Sequence, residues 1–84
     1  METKDYQERM KSEFIELDER VKNLMAFFYN NRDKEYKLCQ DEIVDMRCQL
    51  YAMQAYRNAL GRRCARQGID IPNVELYMSG SNGN

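Results

Sequence analysis

The residues best equipped for chemistry are arginines and tyrosines gathered in one stretch. Met46 to Ile69 contains Arg47, Arg57, Arg62, Arg63 and Arg66 and no acid, whereas residues 1–45 hold 12 of the chain's 14 acids. A net charge of −1 hides this split. It predicts a molecule with one basic end that attracts anions locally, without the overall positive charge of a general DNA binder. Guanidinium groups grip phosphates through two parallel hydrogen bonds and stack on planar rings, and Tyr56 or Tyr51 offers an aromatic face to a base. Arg57 and Arg63 each lie three residues from Leu60, so at helical spacing the three can line one groove. The candidate ligand-binding residues are therefore Tyr51, Tyr56, Arg57, Arg62, Arg63 and Arg66. A second reading of Arg57 is structural: it pairs with a carboxylate of the first helix, such as Glu13 or Glu16, while the other arginines form solvated surface.

The remaining reactive side chains argue against catalysis. Cys39, Cys48 and Cys64 are odd in number, have no Cys-x-x-Cys spacing and sit among Met and Leu, so no disulfide framework is implied. The chain has no histidine. Nothing is therefore placed to raise the reactivity of a thiolate, and no zinc site is expected. The acids of the first half are spread around a helix, with no pair singled out as acid and base. The expectation is a protein that is not an enzyme and carries no metal or cofactor. No zinc finger or helix-turn-helix spacing is present, so sequence-specific nucleic-acid binding is not expected.

Two helices must position these residues. From about Asp5 to Tyr29, Met10, Phe14, Leu17, Val21, Leu24 and Phe28 recur at alternating steps of four and three, a heptad seam. Lys11, Glu16, Asp18, Glu19 and Lys22 then form a solvated face. Asn30 to Lys34 interrupts the pattern as a polar turn, with Asp33 as an N-cap for a second helix. From about Lys34 to Gln67 a second seam runs through Tyr36, Cys39, Ile43, Met46, Leu50, Met53, Arg57, Leu60 and Cys64. Gln49, Ala52, Tyr56, Ala59 and Arg63 make a parallel stripe beside it, whose alanines let another helix come close. Gly61 weakens the helix by up to about 1 kcal/mol relative to Ala, which points to a packing or binding reason, and Gly68 is a natural C-cap.

The fold class implied by these seams is all-α: an antiparallel, coiled-coil-like two-helix hairpin over residues 1–68, with helices at about 5–29 and 34–67. Pro72 excludes helix from the next segment, and residues 69–78 are expected as an extended arm, suited to lying on a neighbour. Residues 79–84, rich in Gly, Ser and Asn, are expected to be disordered. A chain of 84 residues buries little surface by itself. With disulfides and metal set aside, self-association is the remaining way to cover two apolar stripes and the overhanging Leu60 and Cys64. No stretch approaches a membrane span and the first residues do not read as a signal peptide, so a cytosolic protein is expected.

The pattern E-x-x-x-L-D-E-R-x-x-x-L-x-x-F (Glu13, Leu17 to Arg20, Leu24, Phe27), a short polar turn, and Q-L-x-A-M-x-x-Y-x-x-x-L-x-x-R (Gln49, Leu50, Ala52, Met53, Tyr56, Leu60, Arg63) resembles a family of small bacteriophage proteins related to a crAss-like phage protein. The resemblance covers about residues 8 to 66. It implies a phage anti-defence protein acting in the host cytoplasm, a homo-oligomeric sponge for nucleotide second messengers. Those messengers are the ADP-ribose-type signals of Thoeris, including cyclic ADP-ribose isomers, or the cyclic dinucleotides of CBASS. Resemblance and residue chemistry meet at Tyr56, Arg57 and Arg63, in a pocket between subunits. The alternative is an interaction module that inhibits a host defence protein through the acidic face of the first helix or the apolar arm.

Overall fold

The computed structural model describes residues 2–31 and 39–78. It is all-helical across them, with two long helices packed together, α1 (Glu2–Asn30) and α2 (Gln40–Arg66), and a single helical turn, α3 (Glu75–Met78). Residues 32–38 and 79–84 lie outside the described residues, and with them the expected Asp33 cap site, the Tyr36 seam position and the expected disordered tail.

Both seams are visible as burial. Met10, Phe14, Leu17 and Val21 of α1 are buried, as are Ile43, Leu50, Leu60 and Cys64 of α2. Met46, Met53 and Arg57 are half-buried at the intervening seam positions. Contacts between the helices link Met25 to Gln54, Asp18 to Arg57 and Tyr6 to Arg63.

α1 ends where the Asn pair is expected to end it. Asn31 closes back on Phe27, its backbone N–H and its side-chain amide both donating to that carbonyl oxygen. α2 is described from Gln40, and the expected start at Lys34 lies outside the described residues. Cys39 is its N-cap residue, with extended backbone, and Ile43 N–H donates to the Cys39 carbonyl. The charges at its start, Asp41 and Glu42 in the first turn, favour the positive end of the helix dipole.

The far end of α2 closes with a Schellman motif. Gly68 has φ 75°, a conformation costly for residues with a Cβ. Gly68 N–H donates to Ala65 O and Ile69 N–H to Cys64 O, which satisfies two carbonyls of the last turn. The motif reverses the chain and brings Ile69 over Cys64.

Residues 69–78 depart from the expected extended arm lying on a neighbour. Ile69 and Ile71 are buried in one cluster with Met10, Phe14, Leu17, Leu60 and Cys64, and Val74 and Tyr77 pack against it. Asn73 takes a left-handed conformation after Pro72 (φ 59°), which Asn tolerates better than most residues. That bend leads into α3, where Leu76 N–H donates to Asn73 O and Tyr77 N–H to Val74 O. The physical reason is local: Leu60 and Cys64 are apolar, and the nearest chain able to cover them is the segment that the Gly68 turn sends back. They are 2% and 0% exposed within one chain, so no neighbour is needed to cover them.

Candidate functional site

The arginines lie on different sides of α2 because consecutive residues of a helix advance by about 100°. Arg57 points toward α1. Its Nη1 lies 3.2 Å from Asp18 Oδ1, and both side chains are largely enclosed. Lys22 Nζ approaches the other oxygen of Asp18 at 3.0 Å, and Arg57 Nε donates to Asn58 Oδ1 at 3.3 Å. The carboxylate partner of Arg57 is thus Asp18, and neither Glu13 nor Glu16. Asp18 belongs to the helix interface and not to the solvated face, although Lys22 beside it does reach solvent.

The Arg57 guanidinium nonetheless keeps N–H groups beyond those used on Asp18 and Asn58. It lines a depression of about 300 Å³ with Asn58, Arg62, Leu76 and Tyr77. No acid contributes to that lining. Arg62 and Arg66 are exposed, and neither makes an ion pair among the described residues. Anions are drawn to such a place, since a guanidinium without a protein carboxylate is open to a ligand's phosphate.

Arg63 sits elsewhere. It donates to the Tyr6 hydroxyl and lines a second depression, of about 270 Å³, with Tyr6, Arg9, Met10, Glu13 and Leu60. Glu13 stands there beside Arg9 and Arg63, as Asp18 stands beside Arg57 at the first depression. Arg57 and Arg63 thus line different depressions of the two described, and Leu60, buried between them, joins the one that Arg63 lines. Tyr56 and Tyr51 are exposed, at 48% and 63%, and line neither depression. Arg66 also lies outside both.

Arg47 belongs to the opposite end of the helix pair, where its guanidinium stands 4.8 Å from the centre of the Phe28 ring. Of the cysteines, Cys39 and Cys48 are exposed and Cys64 is buried. Burial pushes the Cys64 thiol up from its ordinary value, with nearby Arg63 pulling weakly the other way. It is a packing residue held in its neutral form.

Sequence reasoning did not find Tyr77, Leu76, Asn58 or Asp18 as neighbours of the arginines. One signal for Tyr77 was present. Gly61 in mid-helix has a packing reason: a Cβ there would lie 2.8 Å from the Tyr77 ring, so only glycine admits the ring against the helix. Tyr77 also meets Phe14 edge to face, at 5.6 Å between centroids.

Among the described residues no cluster of His, Cys, Asp or Glu could hold a metal ion. No described helix is long and apolar enough to cross a membrane. Neither a curated protein nor a solved structure matches the chain significantly. The family described as Sequestin matches over residues 4–66, which takes in α1, α2 and all the arginines of the basic end. A match over most of the sequence, running through both packed helices, places the chain in that family: it belongs to the Sequestin family.

Proposed function

We propose that this protein binds and sequesters a nucleotide second messenger, of the ADP-ribose type or a cyclic dinucleotide, and leaves it chemically unchanged. The family's name suggests sequestration. The observation that carries the ligand class is the depression, with no acid in its lining, in which Arg57, held in place by Asp18 and Asn58, stands beside the exposed Arg62. A guanidinium already fixed by protein contacts loses little freedom on gripping a phosphate. Sequestration requires tight stoichiometric binding and no catalytic group.

The architecture in this reading is an antiparallel hairpin that self-associates. Pairing of Met25 with Gln54, Asp18 with Arg57 and Tyr6 with Arg63 supports the antiparallel direction, since partners rise in number along one helix as they fall along the other. Self-association is supported by the stripe Gln49, Ala52, Tyr56, Ala59 and Arg63, which stays exposed or half-buried in one chain. A second copy on that stripe brings Tyr56 and Arg63 to a subunit boundary. The setting is a phage protein that silences a defence signal in the host cytoplasm.

A thermal-shift screen of nucleotide signals tests the reading. A bound ligand stabilises by RT ln(1 + [L]/Kd), about 2.7 kcal/mol at a hundred times Kd, so one class should raise the melting temperature by many degrees. A flat response to ADP-ribose conjugates and cyclic dinucleotides alike contradicts it.

A further inference from the structure

The depression beside Arg57 has two unlike walls. One is cationic and comes from α2, with Arg57 and Arg62; the other is apolar and comes from the C-terminal segment, with Leu76 and Tyr77. Leu76 is 66% exposed, a large aliphatic side chain left in solvent next to two guanidinium groups. Tyr77 is half-buried, its inner side against Gly61 and Phe14, and it adds the rest of its surface to the depression. An inorganic anion has no use for such a wall. A ligand with a phosphate at one end and a flat ring at the other fits both.

We infer that Leu76 and Tyr77 complete, with Arg57 and Arg62, a subsite within a single chain that takes a phosphate-bearing planar ring, and that the C-terminal segment is thereby the part of this protein that selects the ring. The inference rests on the nucleotide reading above and assigns it a different aromatic residue, Tyr77 in place of Tyr51 or Tyr56. Each wall is held by independent contacts. Arg57 is fixed by Asp18 and Asn58. The segment is fixed by the Gly68 turn and by burial of Ile69 and Ile71. Gly61 is a positioning residue, since the absence of its Cβ is what lets Tyr77 reach this place. The volume of about 300 Å³ lies at the small end of ligand pockets, right for one ring and its phosphate and too small for a folded partner. The family match ends at residue 66, before this segment begins. Ring selection thus lies outside the part of the chain that defines the family, and phosphate binding inside it.

Titration of the full chain with ADP-ribose and with inorganic pyrophosphate separates the walls. Two substitutions at exposed positions, Leu76→Ser and Arg62→Gln, leave the core untouched. Leu76→Ser should weaken ADP-ribose about tenfold, the scale of one lost ring contact, and leave pyrophosphate unchanged. Arg62→Gln should weaken both. Unchanged ADP-ribose affinity in Leu76→Ser overturns the subsite while the nucleotide reading stands. If the native chain holds a cyclic dinucleotide and not ADP-ribose, the same variant is read with that ligand, and an unchanged affinity again overturns the subsite. If the native chain holds neither, the subsite and the nucleotide reading fall together.

Discussion

The two ends of the helix pair are built from similar apolar residues yet are closed differently. At one end, Phe14, Leu17, Leu60 and Cys64 are covered by Ile69, Ile71 and the Tyr77 ring, so three elements enclose the core. At the other, among the described residues, Val21, Ile43 and Leu50 are buried where α1 meets α2, and Met25, Val44 and Tyr51 remain exposed beside them. Two helices can bury one seam but cannot enclose it. A third element, even ten residues with one helical turn, turns a seam into a core and makes a rigid wall on which a ligand depression can form. The closed end is also the basic end, so rigidity and anion attraction coincide there.

Removing residues 69–84 should have the largest effect, because it opens the closed end. Burial of Ile69 and Ile71 alone contributes about 3–6 kcal/mol, a large part of the stability of so small a fold. The expected result in a circular dichroism melt is loss of the cooperative transition, or a melting temperature lower by more than about 15 °C. A truncated chain that melts like the native one would mean that both ends are equivalent.

Next in size is a matched pair of core truncations. Leu60→Ala at the closed end and Leu50→Ala at the open end both delete a buried leucine, but the cavity left at Leu60 has neighbours on every side and cannot collapse. Leu60→Ala should cost near the top of the range of about 2–5 kcal/mol and Leu50→Ala near the bottom, measured by urea denaturation. Equal costs would erase the distinction between the ends.

Gly61→Ala should separate propensity from packing. Alanine favours a helix over glycine by about 1 kcal/mol, yet here its Cβ displaces Tyr77. The chain should melt a few degrees lower, and buried Cys64 should be alkylated faster by iodoacetamide than in the native protein, where exposed Cys39 and Cys48 react first. A higher melting temperature would show that Tyr77 contributes nothing to closure. The Cys64 thiol also gives the closed end a pH dependence. Burial raises its folded value, so as pH rises past the ordinary thiol range the unfolded chain ionises before the folded one does. Its contribution is present in full at neutral pH and is lost as pH rises through the folded value, an alkaline loss that Cys64→Ala should reduce.

Arg57→Ala should separate stability from affinity. The pair with Asp18 is largely enclosed but not dry, and Lys22 remains to neutralise Asp18, so a loss of about 1–2 kcal/mol is expected. Affinity for the nucleotide should fall much further than stability does. A large loss of stability with affinity intact would make Arg57 a strut and no part of the site.

Much of the closed end was legible in the sequence. The heptad spacing marks Phe14, Leu17, Leu60 and Cys64 as core, and the glycines at 61 and 68 flag a close approach and a helix end. What covers that core was not legible. Ile69, Ile71, Val74 and Tyr77 follow no helical period, and four residues of α3 are too short to show one. Their place depends on the reversal at Gly68 and the left-handed bend at Asn73, each a single-residue event. Asp18 was hidden for another reason. A helical wheel assigns faces by period alone, whereas contact between Asp18 and Arg57, 39 residues apart in sequence, depends on the relative setting of two helices.

Recovery of a captured ligand tests sequestration most directly. ADP-ribose conjugates and cyclic dinucleotides are mixed with excess protein, the free ligand is measured in an ultrafiltrate, and the retained fraction is then heated to unfold the protein and analysed by mass spectrometry. One ligand class should disappear from the filtrate in stoichiometric proportion to protein and return on heating with its mass and retention time unchanged. A filtrate that keeps every ligand, or a ligand that returns altered, contradicts sequestration.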